Sequence, residues 1–250
     1  GEALGVPVEL YPASDYAGVM QGLVSGQLDT ASLGASGYAG IYMQDPNAVE
    51  PVFVNLEADG SDGYYAMMYV RADSDIQDLA GMEGRSLAFA DPNSTSGYLV
   101  PKAELEGQGI DIESYFSRTG FGGGHEQAVI AVLNDQYDAG VTWTSGVGEE
   151  SEGFTRGNFR TMVENGLLDM SDLRVIWRSN LIPNGPWVIR SALPEEAKTI
   201  WTEWMENLPQ TDPECFAQIS NGSGAGFKRV DHSFFENVVA MREREVAGSR

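Results

Sequence analysis

A short apolar segment followed by a hydroxyl-rich loop constrains the fold of this chain more than any other stretch. Ser86–Ala90 has the length and apolarity of a buried strand, and the next residues, Asp91-Pro92, form a turn signal. The loop continues as Asn93–Gly97, and residues 98–106 can form a helix in which Pro101 is tolerated because it falls near the first turn. The stretch therefore predicts a strand, a loop and a helix in direct succession, as in α/β folds.

Three consecutive hydroxyl residues, Ser94, Thr95 and Ser96, stand at the start of that helix. Hydroxyl residues before a helix more often only cap its exposed backbone N–H groups. They can also turn outward and, together with those N–H groups, hold an oxyanion. Gly97 would let the backbone approach closely.

Apolar periodicity and turn signals predict alternating strands and helices along the rest of the chain. The predicted strands are residues 6–11, 30–33, 51–56, 64–70, 86–90, a short segment within 137–143, and 174–177. The predicted helices are residues 16–25, with Ser14 as N-cap, and residues 37–43, 98–106, 110–116, 125–133 and 194–208. We expect the strands at 6–11 and 30–33 to be parallel, and the aromatic tail from Phe227 to Val238 to pack as a terminal cap.

Two crossings of the chain, near residues 70–75 and 179–187, fit two lobes joined by a hinge with a ligand between them. We predict that lobe 1 comprises residues 1–73 and 188–250, with an incomplete N-terminal part, and that lobe 2 comprises residues 74–187. At 250 residues the chain is long enough for two such lobes.

The charge of the chain excludes several classes of partner. Asp plus Glu number 37 against 15 Lys plus Arg, a formal net charge of −22, which argues against nucleic acid and anionic membrane surfaces. An anion site must therefore be local, built from helix ends, hydroxyls and a histidine. The single cysteine, Cys215, permits no internal disulfide and no zinc pattern.

The run from Asp91 to Pro101 resembles the central motif of the periplasmic phosphonate-binding proteins that serve ABC importers, a family with the type II solute-binding fold. Further similar segments begin at Asp15, Asp62, Gly124 and Leu181, so the resemblance covers, in pieces, residues 5–192. It implies a two-lobed α/β protein with its ligand in the interlobe cleft.

The resemblance also implies which residues hold the phosphonate group. The matching positions are Tyr16, Tyr64, Ser94, Thr95, Ser96 and His125. Without the resemblance, tyrosines are more often core aromatics, and a histidine at a helix start is often a neutral cap. Hydroxyls, backbone N–H groups and a phenol can satisfy a tetrahedral oxyanion without a metal or other cofactor, and Trp143 could form a wall.

These features predict a monomeric periplasmic protein, not an enzyme, that captures phosphonate, phosphite or phosphate and delivers it to an ABC permease. A phosphate-ester or phosphonate hydrolase is the alternative, because a serine and a histidine could act as nucleophile and base. A Gly-x-Ser-x-Gly elbow and a His/Asp metal pattern are both lacking in the sequence. A non-transport anion sensor would use the same site, and the sequence does not separate it from a transport protein.

The far end of the ligand site departs from the family members that bind 2-aminoethylphosphonate, which hold the ammonium with two carboxylates. By counting from neighbouring motifs, the matching positions here are Ser145 and Gly185, and neither is acidic. We therefore expect a preference for ligands without an amine, unless Glu149 or Glu150 substitutes.

Overall fold

The computed structural model describes residues 1, 4–11, 15–222 and 224–248. Its contacts divide the chain into two compact units. The first unit comprises Gly1–Asp62, Pro183–Ser220 and Gly224–Arg250, and the second comprises Gly63–Ile182 and Asn221–Ser223.

Strands and helices alternate through both units. The strands are β1 (Thr30–Ser32), β2 (Val49–Glu57), β3 (Gly63–Arg71), β4 (Ser86–Phe89), β5 (Arg118–Phe121), β6 (Ala139–Thr144), β7 (Leu173–Arg178), β8 (Ile182–Pro183), β9 (Pro186–Arg190) and β10 (Gly224–Arg229). The α-helices are α1 (Tyr16–Val24), α2 (Ala35–Gln44), α3 (Val100–Gly107), α4 (Ile112–Tyr115), α5 (His125–Leu133), α6 (Asn158–Glu164), α7 (Glu195–Thr211), α8 (Pro213–Ser220) and α9 (Glu236–Gly248).

The first unit is built on a sheet with strand order β1-β9-β2-β10, in which each pair of neighbours is antiparallel. Helices α7 and α8 cover one part of it. Their apolar faces meet the sheet in a buried cluster formed by Phe53, Ile189, Trp201, Met205, Leu208 and Phe216.

The second unit is built on a mixed sheet with strand order β5-β4-β6-β3-β7. Strands β5, β4 and β6 are parallel to one another, whereas β3 is antiparallel to β6 and to β7. The carboxyl ends of β4, β5 and β6 and the amino end of β3 therefore lie along one edge of this sheet, where open α/β sheets usually bind ligands.

Strand β3 is buried on both faces, which explains its nearly continuous apolar sequence. Met68 and Val70 pack into a cluster on one face with Leu87, Phe89 and Leu105. Met67 and Tyr69 pack on the other face against residues from α5 and α6. The two clusters fix the sheet between two layers of helices.

Most predicted elements are present, but the one at the start of the chain is wrong. Residues 6–11 form no strand, and the side chains of Val6, Val8, Leu10 and Tyr11 are exposed. Their alternating pattern predicts a strand only if a neighbouring strand pairs with them, and the partner expected at 30–33, now β1, pairs antiparallel with β9 at the edge of its sheet. The expected parallel pair is therefore not formed.

Other differences are local. The Ser14 cap lies outside the described residues, while the Asp15 carboxylate accepts a hydrogen bond from the Gly18 N–H at 2.7 Å. The helix expected at 110–116 shortens to α4, and Phe227 belongs to β10 and not to a terminal cap. Seven elements of the described structure were not predicted from the sequence, and they are β5, β8, β9, β10, α6, α8 and α9. The assignment of residues to two lobes, with boundaries at 73/74 and 187/188, stays a prediction.

Candidate functional site

The loop after β4 wraps into a helix whose first turn is unusually wide. The π-helical turn Thr95–Leu99 precedes α3, and Ser94 is its N-cap with an extended backbone. The Ser94 Oγ accepts a hydrogen bond from the Gly97 N–H at 3.0 Å, and the Ala90 N–H donates to the Gly97 carbonyl at 2.9 Å. The hydroxyl triplet therefore lies at the carboxyl end of β4, and all three of its residues are buried.

Gly97 is required by the closeness of its neighbours. A Cβ at this position would lie 2.5 Å from the Ala90 Cβ, 2.8 Å from the Ser94 Oγ and 2.9 Å from the His125 Cε1. All three distances are shorter than ordinary carbon contacts. The absence of a side chain therefore lets the turn, the cap and the histidine pack together.

His125 connects the triplet to the central strand of the sheet. It is the first residue of α5, which follows β5, and the loop between them is held to β4 by hydrogen bonds from the Gly122 and Gly123 N–H groups. Its Nε2 lies 3.1 Å from the Ser94 Oγ, and its Nδ1 lies 3.2 Å from the Thr142 Oγ1 on β6. Burial lowers the pKa of His125 to about 4, so the imidazole is neutral at pH 7.

Aromatic side chains line the other face of the same sheet edge. The ring of Tyr64, near the amino end of β3, contacts the ring of Trp143 near the carboxyl end of β6, with centroids 5.7 Å apart and an edge-to-face angle of 86°. The guanidinium carbon of Arg156 lies 5.0 Å from the centre of the Trp143 ring. Tyr64 and Arg156 are both buried.

The structure places five of the six predicted site residues in the second unit. Ser94, Thr95 and Ser96 follow β4, His125 follows β5, and Tyr64 is the second residue of β3, so sheet topology collects them at one edge. Tyr16 is the first residue of α1 in the first unit and is partly buried. Trp143, predicted as a possible wall, packs against Tyr64.

Sequence reasoning missed two residues of this edge. Thr142 orients the imidazole of His125, and Arg156 covers Trp143. Thr142 contacts His125 because strand β5 places helix α5 beside β6. Since β5 was not predicted, this contact could not be predicted either. Arg156 lies in a loop after an acidic segment, where no local pattern marks it.

The two positions considered for an ammonium group are closed to a carboxylate. The Ser145 side chain is buried, and its Oγ lies 3.0 Å from the Thr155 Oγ1. A Cβ at Gly185 would overlap the Leu33 carbonyl oxygen. Glu149 and Glu150, considered in the sequence as alternative carboxylates for this position, are exposed.

The described part of the chain lacks a metal cluster and a membrane-spanning helix. No group of three or more His, Cys, Asp or Glu side chains there is arranged to hold a metal ion. None of the helices there combines the length and apolarity needed to cross a membrane.

Comparison with known families gives a match over nearly the whole chain. Residues 1–233 match the family described as "ABC transporter, phosphonate, periplasmic substrate-binding protein". The phosphate-import protein PhnD of Mycolicibacterium smegmatis is 32% identical over 225 residues, covering 86% of this chain and 66% of that protein. The phosphonates-binding periplasmic protein of Escherichia coli is 32% identical over 215 residues, covering 84% of this chain and 59% of that protein. The chain thus spans less than two thirds of the length of either relative.

Solved structures share the architecture. A binding protein component of an ABC phosphonate transporter from Pseudomonas aeruginosa superposes with a TM-score of 0.79 at 26% identity, covering 100% of this chain and 80% of that chain. PhnD1 from Prochlorococcus marinus, solved in complex with methylphosphonate, superposes with a TM-score of 0.78 at 19% identity, covering 97% of this chain and 88% of that chain. At that identity the second likeness concerns the fold alone.

Proposed function

The chain belongs to the family of periplasmic substrate-binding proteins of phosphonate ABC transporters and has their type II α/β fold, and we propose that it captures a small phosphorus oxyanion for import. The observation that carries the proposal is the convergence of the Ser94–Ser96 turn and His125 at one sheet edge. The family supplies the class of ligand, and the turn supplies the groups that would bind it.

The chemistry of the turn suits a phosphonate, phosphite or phosphate group. The first N–H groups of a helix lack intrahelical partners and point along the helix toward its start, where the helix dipole also favours an anion. Ser96, which carries a hydroxyl group, is buried in this turn. We propose that these groups, with Thr95 and His125, bind the oxygens, and that Tyr64 and Tyr16 complete the site.

The hydrogen-bonded pair of Ser94 and His125 is the observation that favours a hydrolase, because such pairs activate nucleophiles. Two features support binding over catalysis. The Ser94 Oγ also caps the Gly97 N–H, and the partner of the second imidazole nitrogen is a threonine hydroxyl, not a carboxylate that would stabilise an imidazolium. Turnover of methylphosphonate or p-nitrophenyl phosphate by the purified protein would overturn this assignment.

Replacing Thr95 by Ala tests the proposed site directly. We expect methylphosphonate affinity to fall about ten- to a hundredfold, since a hydrogen bond to a charged group contributes about 1.5–3 kcal/mol. Isothermal titration calorimetry measures it, and Thr211→Ala at the end of α7 is the matched control, since the Thr211 side chain bonds only within its own helix. Equal affinities for wild type and Thr95→Ala would leave the triplet as a helix cap.

The partners and location belong to the same proposal. The family description supports a periplasmic location and delivery to an ABC permease. Binding of the ligand between the two lobes, closure about a hinge and the monomeric state stay predictions.

A further inference from the structure

The hydroxyl of Thr142 has one hydrogen-bond partner in the part of the chain that the structure describes, and that partner is His125. Thr142 lies on β6 and is fully buried, and its Oγ1 lies 3.2 Å from the His125 Nδ1. The other imidazole nitrogen, Nε2, lies 3.1 Å from the Ser94 Oγ. The three side chains therefore form a continuous hydrogen-bonded chain from the interior of the sheet to the proposed anion-binding turn.

The imidazole in this chain can hold its proton on either nitrogen. It is neutral at pH 7, because burial lowers the pKa of His125 to about 4. A neutral imidazole has one N–H donor and one lone-pair acceptor, and both distances suit either arrangement. With the proton on Nδ1, His125 donates to Thr142 and Ser94 donates to Nε2. With the proton on Nε2, Thr142 donates to Nδ1 and His125 donates to Ser94.

The two tautomers leave different hydroxyl protons without an acceptor. In the Nδ1 tautomer it is the proton of Thr142, whose side chain is 0% exposed and has no second acceptor among the described residues. In the Nε2 tautomer it is the proton of Ser94, because the Ser94 Oγ then accepts from both the Gly97 N–H and Nε2. A buried donor without an acceptor is costly, so an anion that accepts from Ser94 favours the Nε2 tautomer.

The tautomer also decides what the turn offers to an anion. With the proton on Nδ1, Nε2 is an acceptor that takes the Ser94 proton, and both groups present lone pairs to an oxyanion. With the proton on Nε2, both groups present donors. A hydroxyl at the position of Thr142 can donate to Nδ1, whereas a carboxylate there would accept from Nδ1 and fix the opposite tautomer.

Resting on the proposed function, we propose that Thr142 is a positioning residue for anion binding, whose hydroxyl donates to the His125 Nδ1 and keeps the imidazole proton on Nε2, so that His125 and Ser94 offer donors to a phosphorus oxyanion. Thr142 acts through the imidazole and does not itself touch the ligand.

Nitrogen-15 NMR of the chain with saturating methylphosphonate at pH 7 measures the tautomer, because the shift of an imidazole nitrogen depends on whether it carries a proton. We expect the proton on Nε2 of His125, and His232→Gln identifies which signals belong to it. Thr142→Val replaces the hydroxyl by a methyl group of similar size. It should lower the affinity for methylphosphonate about two- to tenfold in calorimetry and increase the fraction of imidazole protonated on Nδ1. Thr142→Ser keeps the donor and should restore both the affinity and the tautomer.

Thr202→Val is the matched control, because Thr202 is also buried but its hydroxyl donates to the Lys198 carbonyl within α7. It should change neither the affinity nor the tautomer. Wild-type affinity in Thr142→Val, or a proton on Nδ1 in the ligand-bound wild type, would overturn the inference. Weaker binding that Thr142→Ser does not restore would also overturn it and make Thr142 a packing residue.

Should Thr142→Val fail to fold, the tautomer of the ligand-bound wild type decides. If methylphosphonate, phosphite and phosphate all fail to bind the wild type, the proposed function is refuted and the inference with it. Binding of any of them with the imidazole proton on Nδ1 refutes the inference alone.

Discussion

On acidification, the His125 imidazole should become protonated only at a pH far below the usual range for a histidine. Its ring is hydrogen-bonded at both nitrogens, and burial lowers its pKa to about 4. In the unfolded chain a histidine has a pKa of about 6.5. Between these values the unfolded chain binds more protons than the folded one, so stability is fully present above the unfolded pKa and falls as the pH is lowered.

The size of the effect follows from the two pKa values. Each pKa unit corresponds to about 1.4 kcal/mol. The shift of His125 therefore makes the free energy of unfolding about 3 kcal/mol larger at neutral pH than at a pH below both pKa values. About 2 kcal/mol of this is lost between pH 7 and pH 5, and most of the rest by pH 4. Carboxylates titrate in the same range, so the measurement is the difference between wild type and His125→Gln, in which the carboxylate contributions cancel.

Proton NMR of the imidazole Cε1–H measures the titration directly. The chain has two histidines, and His125→Gln assigns the two signals. Urea unfolding of wild type and variant at several pH values measures the consequence for stability, with His232→Gln as the control that keeps His125. A His125 midpoint near 6.5, or parallel stability losses in wild type and His125→Gln, would refute the reasoning.

Two further predictions concern the same turn. Gly97→Ala should destabilise the fold by about 1–3 kcal/mol, because the new Cβ would collide with Ala90, Ser94 and His125. The control is Gly107→Ala in α3, where a Cβ has no neighbour within 4 Å and should be neutral or stabilising by up to about 1 kcal/mol. Urea unfolding measures both variants. Saturating methylphosphonate should raise the pKa of His125 above its value in the free protein, because a nearby anion favours the protonated imidazole. An unchanged midpoint of the NMR titration would mean that the anion binds away from His125.

The success of sequence reasoning at the turn has a physical cause. The cap by Ser94, the need for Gly97 and the helix start at His125 depend on neighbours within a few residues, and local patterns encode such features. The helix spacing of residues 125–133 likewise matches α5 residue for residue. These elements would have the same signals in any fold that contained them.

The failures lie where distant residues decide the structure. The sequence Arg118–Phe121 is short and not strongly apolar, and it becomes β5 only because it pairs with β4. Residues 6–11 are the reverse case. Their apolar residues alternate as in a strand, but no strand among the described residues pairs with them. Arg156 reaches Trp143 through a loop of a dozen residues, so their contact depends on how that loop folds back on β6.

The net charge of the chain repels an anionic ligand, whereas the local site attracts it. Salt distinguishes the two effects, because it screens the long-range repulsion more than the contacts in the site. A net charge of −22 repels an anionic ligand over long range, whereas the hydroxyls and N–H groups of the Ser94–Ser96 turn act only at contact. Raising the ionic strength from about 0.01 M to about 0.15 M shortens the screening length from about 30 Å to about 8 Å. The association rate of methylphosphonate should therefore rise severalfold, measured by stopped-flow tryptophan fluorescence, while the dissociation rate changes little. The same rise should occur with salts of two different anions, because screening depends on ionic strength and competition depends on the anion. A rate that falls with both salts would mean that the ligand meets a locally positive field on its approach, and it would refute the reasoning from net charge.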